Sequence, residues 1–289
     1  MKSEQKQHLI SIQTLLNSFL KSLLRIFHFF LMLSGTIHFV SAQSTKYQTP
    51  VQISAHRGNT GLAPENTLST YKNALKLRVN FIEIDVRTSA DGQLVILHDG
   101  TLNRTTTGAG PVKNIAFSEL KKLSAGKGFE GFEKEKILSL EEVCKLVSQW
   151  NKWHSKKTFI YVDCKEVTPK PLVEILKKYD LAFKSCFYGN DSFLFSLKQE
   201  FPQARLLSSL RKKEEIATKI SSLQPHAFDA NYITLTPEMV QEAHSKGVQV
   251  FTDLLGSLDK VENYQNAAKM GVDLIQTDKP ALVFKTLKN

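Results

Sequence analysis

From about residue 51 onward the sequence predicts an α/β fold with a mainly parallel sheet. Nine short β-rich runs alternate with segments of helical apolar spacing, the pattern of parallel strands joined by crossover helices. Several runs end in polar or charged residues, as expected for a barrel whose active site lies at the C-terminal ends of its strands. Nine strands are one more than a closed eight-stranded barrel needs, so we expect one strand to lie outside it.

The strands are placed by their β-branched and apolar residues. In chain order they are VQISAH (51–56), NFIEIDV (80–86), QLVILHD (93–99), TFIYVDCK (158–165), SCFYGN (185–190), ARLLSSL (204–210), AFDAN (227–231), VQVFTD (248–253) and VDLIQTD (272–278). Apolar residues at helical spacing between them predict helices over 66–79, 139–150, 171–179, 237–246 and 258–270.

The third strand is the one expected outside the parallel barrel. Only the turn SADG separates it from the second strand, which leaves no room for a crossover helix and favours an antiparallel hairpin. The glycine-rich segment that follows, about 100–138, predicts an insertion of loop and short helix. Because no repeat or linker interrupts the sequence after residue 50, we expect residues 44–289 to form one domain.

Residues 1–43 have the composition of a secretory signal peptide. Four basic side chains precede an almost uncharged run over 26–40, and the small residues Ser41 and Ala42 follow it. Cleavage after Ala42 would export the protein to the periplasm or the medium. The alternative is an uncleaved membrane anchor, for which 15 apolar residues are short because a span needs roughly 20.

The charge and the cysteines exclude some classes of protein. The formal net charge is +10, or about +7 without the leader, which fits a phosphate-bearing substrate or an anionic surface. The basic residues are scattered without interleaved aromatic residues, so no nucleic-acid partner is expected, and the oligomeric state stays open. Three cysteines at unrelated spacings exclude a disulfide framework; we expect buried thiols, with a single bridge as the alternative.

Acidic residues alternate along two predicted strands. Glu83 and Asp85 are two residues apart in FIEIDV, so their side chains share one face of the strand. Asp163 and Lys165 repeat this spacing in FIYVDCK. Buried carboxylates need a counter-charge, and a divalent cation held by their oxygens would provide it. The alternatives are solvated acids at the strand end for the first pair and an internal ion pair for the second.

Two histidines stand beside charged residues at strand ends. His56 precedes Arg57, and His98 precedes Asp99. Cleavage of a phosphodiester needs one group that accepts a proton and another that donates one, and histidine titrates close to neutral pH. The planar guanidinium of Arg57 could hold a phosphoryl oxygen beside them. His226 and His244 lack such neighbours and are interpreted as structural.

The order of the short motifs carries a family resemblance. HRG, PENT, EID, HD with LNRTT, LSLEEV, VDCK and GVDLIQTDKP follow one another from residue 54 to residue 280. In this order they resemble the motif series of the glycerophosphodiester phosphodiesterase family. The resemblance implies a distorted TIM (β/α)8 barrel, the hydrolysis of glycerophosphodiesters to an alcohol and glycerol 3-phosphate, and one divalent metal ion, Ca²⁺ or Mg²⁺.

Site roles follow from the resemblance by matching position. His56 and His98 would be the general acid/base pair, and Arg57 and Lys165 the contacts to the substrate phosphate. The metal ligands would be the three acids of the two strands, Glu83, Asp85 and Asp163.

Supporting roles and departures from the family pattern follow in the same way. Glu65 would orient its loop or approach the metal, and Asn66 would cap the following helix. Asp163 stands where the family usually has glutamate, which puts the metal affinity in doubt. Phe251 stands where the family commonly has tryptophan, so we expect it in a pocket wall that suits a different alcohol.

Two other functions are compatible with the same barrel. The first is a phospholipase or lysophospholipase D type of activity on lipids, which would show as an exposed apolar rim, most plausibly in the insertion. The second is a phosphodiester-binding protein without turnover, which would lack one of the two histidines. Both histidines are present, which argues against the binding protein.

Overall fold

A computed structural model describes residues 50–287, and within them one nine-stranded sheet forms the core of the fold. Its strands are β1 Gln52–Ala55, β2 Phe81–Thr88, β3 Leu94–Ile96, β4 Phe159–Glu166, β5 Cys186–Tyr188, β6 Arg205–Leu210, β7 Ala227–Ala230, β8 Gln249–Leu254 and β9 Leu274–Thr277. The order is β1-β9-β8-β7-β6-β5-β4-β2-β3, and β1 also pairs with β2. That pairing closes a barrel. The predicted signal peptide or anchor, 1–43, lies outside the described residues.

The prediction of one strand outside the parallel barrel is confirmed. All neighbouring strands are parallel except β2 and β3, where Val86 faces Ile96 and Thr88 faces Leu94. Removing β3 leaves eight parallel strands around the barrel, as in a TIM barrel.

The helices pack around the outside of the sheet. Those expected from apolar spacing form at Leu68–Lys76, Leu140–Trp153, Pro169–Lys178, Pro237–Ser245 and Val261–Met270. Three more were not predicted: Asp191–Glu200, Glu215–Leu223 and Pro280–Leu287; the short helix Phe117–Leu120 lies in the insertion, where a short helix was expected. The local sequence explains where the helix Leu140–Trp153 begins, because Ser139 and Glu142 form a capping box at its first turn. None of the helices in 50–287 has the length and apolar character that a bilayer span requires.

The barrel strands divide their side chains between two cores. The outward side chains pack against the helices in the main hydrophobic core. The inward side chains at the N-terminal end of the barrel form a buried ring, listed here in chain order: Phe81, Tyr161, Cys186, Leu207, Ala227, Phe251 and Leu274. The three cysteines are free and buried, as expected. Above the ring the inward positions are polar, and that is where the predicted site residues lie.

The insertion after β3 consists of loop and short helix, as predicted, and it has a small core of its own. It contains a 3₁₀ turn at Val112–Asn114 and the short helix Phe117–Leu120. Its apolar residues, including Leu102 and Ile137, form a third buried cluster with Val95 of β3. Glu135 ties it to the barrel by accepting hydrogen bonds from the backbone N–H of Leu68, at 3.1 Å, and from the hydroxyl of Ser69.

Candidate active site

Three carboxylates from two neighbouring strands meet inside the barrel. Glu83 and Asp85 lie on β2, and the parallel register puts Asp163 of β4 opposite Asp85. One oxygen from each lies within 4.8 Å of the other two. Glu83 and Asp85 are only 2% and 1% exposed. Burial, then the neighbouring charges of Asp85 and Asp163, raises the pKa of Glu83 well above its usual value.

Two cations partly neutralise these acids. The Lys165 ammonium lies 2.5 Å from Asp163 and 3.5 Å from Asp85. The Arg57 backbone N–H donates to Glu83 at 2.6 Å, while Nε of its guanidinium lies 3.5 Å from Asp85. That buried Nε has no hydrogen-bond partner within the described part of the chain. The site therefore keeps one donor free for a further acceptor.

The cluster has the chemistry of a site for a hard divalent cation. Its three ligand groups are carboxylates, which Ca²⁺ and Mg²⁺ prefer. Three carboxylates outnumber the two positive side chains beside them. Burial, together with the charge of Asp85, raises the pKa of Asp163 against the opposing effects of Lys165 and His98. A divalent ion held by Glu83, Asp85 and Asp163 would supply the missing positive charge.

His56 is held by an aspartate from the far end of the chain. Its Nδ1 lies 2.8 Å from Asp278, which follows β9 and also accepts from the Thr60 hydroxyl at 3.2 Å. Burial opposes ionisation of Asp278, but the hydrogen bond and charge of His56 outweigh it, and the pKa of this carboxyl is lowered. An ionised Asp278 favours the tautomer with a proton on Nδ1, which leaves Nε2 unprotonated.

His98 has a parallel arrangement on the other side of the site. Its Nδ1 lies 2.7 Å from Asp99, whose pKa is lowered chiefly by a hydrogen bond from Arg104. Arg87 holds the His98 carbonyl with two donors, at 2.6 and 3.0 Å. Both imidazoles therefore have a carboxylate at Nδ1, which orients each ring and leaves its Nε2 for another partner.

Glu65 connects the loop after His56 with the loop after His98. Its hydrogen bonds go to arginines, and it is not one of the clustered acids. It accepts from Arg57 at 3.0 Å and from two nitrogens of Arg104, each at 2.8 Å. Arg104 in turn donates to both oxygens of Asp99, at 2.8 and 2.9 Å. Of the two roles expected for Glu65, the structure supports the orientation of its loop.

Asn66 does not cap the helix, contrary to expectation. Thr67 is the cap, and its hydroxyl accepts from the Thr70 backbone N–H. Asn66 instead adopts the left-handed backbone region, with φ of 59°, and is buried. Its amide donates to Asp85 at 2.8 Å and accepts from the Tyr71 hydroxyl at 2.7 Å. The capping prediction is wrong because this turn directs Asn66 into the barrel.

The turn between Arg57 and the helix depends on a tight backbone approach. Arg57 has φ of 48° and Gly58 has φ of 93°. A Cβ on Gly58 would lie 2.5 Å from the Thr70 side chain. The glycine of the HRG motif is therefore required by packing, and it allows Arg57 to contact Glu65, Glu83 and Asp85.

Phe251 does not line a pocket wall, which corrects the prediction. It is 1% exposed and belongs to the buried ring below the polar layer, with its ring edge-on to His226. Asp253, two residues later on the same face of β8, reaches the mouth of the barrel instead.

Two further acids, not predicted from the sequence, lie on strands across the barrel from the cluster of Glu83, Asp85 and Asp163. Asp229 of β7 and Asp253 of β8 line an open cleft of about 640 Å³. Burial raises the pKa of both carboxyls, to about 6 for Asp253 and well above the usual value for Asp229, which also faces the charge of Asp253. Asp278 and Arg104 were missed as well. Their motifs, TDKP and LNRTT, were noted, but nothing in them identifies a partner.

Comparisons with known proteins agree with this geometry. Residues 56–282 match the Glycerophosphoryl diester phosphodiesterase family. A glycerophosphodiester phosphodiesterase from Caldanaerobacter subterraneus is 30% identical over 246 residues, covering 81% of this chain and 96% of the relative. One from Bacillus altitudinis is 30% identical over 237 residues, covering 79% and 95%.

A solved structure extends the likeness to the fold. A phosphodiesterase from Oleispira antarctica, in complex with the product sn-glycerol-3-phosphate, is 27% identical, with a TM-score of 0.73 over 82% of this chain and 97% of that chain. The motif order, the barrel and the polar site at its mouth have one explanation: this chain belongs to the glycerophosphoryl diester phosphodiesterase family.

Proposed function

We propose that this enzyme hydrolyses glycerophosphodiesters to an alcohol and glycerol 3-phosphate with the help of one divalent cation. The observation that carries the proposal is the convergence of Glu83, Asp85 and Asp163 within 4.8 Å, beside an arginine with a free buried donor. Relatives named as glycerophosphodiester phosphodiesterases and a relative that holds sn-glycerol-3-phosphate support the substrate class.

Two histidines would move the protons. As water, or the neighbouring glycerol hydroxyl, attacks phosphorus, one imidazole accepts its proton and the other donates a proton to the departing alcohol oxygen. Asp278 and Asp99 hold Nδ1 of His56 and His98, respectively, so Nε2 of each ring is the nitrogen available for these proton transfers. A cyclic phosphate formed by the hydroxyl route would then be opened by water with the two roles reversed.

The phosphate would be held by positive groups on the chain. The free Nε of Arg57 and the Lys165 ammonium both lie beside the acid cluster, where a phosphoryl oxygen could accept from them. Glu83, Asp85 and Asp163 would hold the cation, either Ca²⁺ or Mg²⁺. When bound, the cation would offset negative charge on the phosphoryl group.

The proposal is tested by turnover of a glycerophosphodiester panel with and without EDTA. We expect chelation to abolish turnover and added Ca²⁺ or Mg²⁺ to restore it. His56→Asn and His98→Asn keep a donor at the Nδ1 position and remove Nε2, so each should lower kcat about 10²–10⁴-fold. His244→Asn, at an exposed histidine on an outer helix, is the control. Equal rates with EDTA would remove the cation from the mechanism.

A lipid substrate is the second candidate, because apolar side chains are exposed on three loops. Leu62 after β1 is 66% exposed, Ile233 after β7 is 75% exposed, and Phe129 in the insertion is 44% exposed. A lysophospholipid in the same panel tests this function. Turnover that rises above the critical micelle concentration and falls in Ile233→Ser would support it, and no turnover would exclude it.

We also propose that the protein acts after export. The basic, apolar and small-residue order of 1–43 supports this, with a periplasmic or secreted enzyme as the expected product. N-terminal sequencing of the protein purified from its native host tests it: a mature chain that begins after Ala42 is expected, and an intact leader in the membrane fraction would favour the anchor.

A further inference from the structure

The end of the barrel opposite the active site carries an exposed surface that is both basic and aromatic. Three segments that lead into neighbouring strands form it: 77–80 before β2, 152–158 before β4 and 179–185 before β5. The Thr158 hydroxyl donates to the Val79 carbonyl at 2.7 Å, and the Ile160 N–H donates to the Ser185 hydroxyl at 3.3 Å. These bonds hold the three segments side by side, and we call their surface the basic patch.

The basic patch has an excess of positive charge. All its charged side chains are exposed; the acid is Asp180, and the bases are Arg78, Lys152, Lys156, Lys157 and Lys184. None of the five bases forms an ion pair within residues 50–287. Burial, then the charge of Arg78, lowers the pKa of Lys156. Positive charges therefore crowd together here with too few acids to offset them.

Two large aromatic side chains are exposed among these charges. Trp153, at the end of its helix, is 87% exposed, and Phe183, in the loop before β5, is 58% exposed. Single apolar side chains on a surface are common, but large aromatic ones within a charged patch are typical of an interaction surface. The patch therefore offers both apolar area and positive charge to a partner.

Helix stability does not account for the charge. Lysine is favoured in the last turn of a helix, where Lys152 lies. Arg78, Lys156 and Lys184, in contrast, lie in loops beyond the ends of their helices. Most of the positive charge therefore stands where the helix dipole does not require it.

We propose that the basic patch binds an anionic lipid bilayer, with the active site facing away from the membrane. Lysine and arginine are attracted by the negative surface potential of anionic lipids, and tryptophan and phenylalanine insert among the headgroups. In the sequence, only residues 41–51 separate the apolar run of the leader from β1, which begins at this end of the barrel. An uncleaved leader would therefore tether the barrel by the end that carries the patch.

This orientation separates membrane binding from substrate entry. Leu62, Ile233 and Phe129 are exposed on loops at the other end, so a lipid substrate drawn from the same membrane would need the opposite orientation. Binding through the basic patch leaves the mouth of the barrel open to water-soluble glycerophosphodiesters. That consequence rests on the proposed function, whereas membrane binding itself does not.

Tryptophan emission tests the contact directly, because the chain has only Trp150 and Trp153. Trp150→Phe leaves Trp153 as the sole probe. The full chain with this substitution is titrated with vesicles of phosphatidylcholine alone or of equal parts phosphatidylcholine and phosphatidylglycerol. With the anionic vesicles only, we expect a blue shift and quenching by lipids with brominated acyl chains. Sedimentation with vesicles without a change in emission would mean that the leader or the other end binds, and would overturn the proposal.

Lys156→Gln/Lys184→Gln tests the charge of the patch. Each lysine contributes roughly a fivefold increase in partition onto anionic vesicles, so the pair should lower it about 25-fold. Lys113→Gln/Lys134→Gln removes two exposed lysines from the insertion, at the other end, and is the matched control. Equal losses in the two variants would mean that net charge alone attracts the protein, and would overturn the proposal.

Trp153→Ser tests the aromatic contribution. It should weaken partition about tenfold without changing the midpoint of urea denaturation, since the side chain is 87% exposed. Turnover of a soluble glycerophosphodiester should stay the same in every patch variant, and if the unaltered protein has no turnover, the vesicle measurements still decide this inference. Lysine-dependent binding of soluble polyglutamate without binding of anionic vesicles would identify an acidic polypeptide as the partner and would overturn the proposal.

Discussion

The same strands supply different kinds of side chain to the two ends of the barrel interior. At the N-terminal end seven inward side chains form a buried, mainly apolar ring, whereas toward the C-terminal end the inward positions of β2 and β4 carry acids and a lysine. On β2 the step from ring to site is Phe81 to Glu83, and on β8 it is Phe251 to Asp253. Each of these two strands therefore supplies a packing residue at the N-terminal end and an acid at the C-terminal end.

Within a single strand, the side chain at the N-terminal end therefore contributes to stability and the side chain at the C-terminal end to activity. The ring excludes water and fills space, so its contribution is apolar burial. The upper layer crowds like charges together, which costs stability unless cations offset it. Changes above should therefore act on catalysis, and changes below on folding.

Asp85→Asn is expected to have the largest effect, and it tests the upper layer. Asparagine keeps the shape of the side chain and can still accept from Asn66, but it removes one negative charge from the proposed cation site. We expect kcat/KM to fall by at least about 10³-fold. The free energy of unfolding should change by less than about 1 kcal/mol, because the lost contacts to Arg57 and Lys165 are offset by relief of the repulsion with Glu83.

Parallel hydrolysis assays and chemical denaturation measure both quantities. Asp180→Asn, outside the barrel, serves as the control. A large loss of stability with near-normal turnover would reverse the assignment of this layer.

Phe251→Ala tests the lower layer and should have the opposite profile. Removing a ring side chain that is 1% exposed should lower the free energy of unfolding by about 3–5 kcal/mol. The kcat/KM of the folded enzyme should stay within about threefold, because Asp253 and not Phe251 reaches the cleft. Denaturation curves and initial rates below the unfolding transition measure both. A selective change in substrate preference without loss of stability would restore the pocket-wall interpretation.

The layered arrangement explains which parts of the site the sequence could predict. Glu83, Asp85 and Asp163 were found because a period of two within a strand fixes the face of each side chain. The antiparallel β3 was found because a four-residue turn allows only a hairpin. Both arguments depend on local spacing alone.

The rest of the site depends on contacts between distant segments. His56 and Asp278 are 222 residues apart, and Glu65 meets Arg104 across 39 residues. Asp229 and Asp253 become a pair only because β7 and β8 are neighbours, a relation that the strand order decides. Phe251 was misplaced because a family position says nothing about the depth of a side chain in the barrel.

His226→Gln should have the smallest effect. It tests whether the N-terminal end of the barrel interior disfavours a charge on His226. Burial, then the charge of Arg205, lowers the pKa of His226 to about 4, and its Nε2 accepts from Arg205. The unfolded chain takes up a proton near pH 6.5, whereas the folded chain resists protonation until about pH 4. Stability that His226 confers above pH 6.5 is therefore lost progressively as the pH falls toward 4.

Glutamine keeps an acceptor for Arg205 and cannot be protonated, so the substitution isolates this titration. Between pH 7 and pH 4.5 the unaltered protein should lose about 1–2 kcal/mol more of its free energy of unfolding than His226→Gln, after allowance for the partial exposure of the ring. Urea denaturation at a series of pH values measures the difference. Parallel loss in both proteins would mean that the ring accepts a proton in the folded state, and the lower end of the barrel would then be as tolerant of charge as the upper.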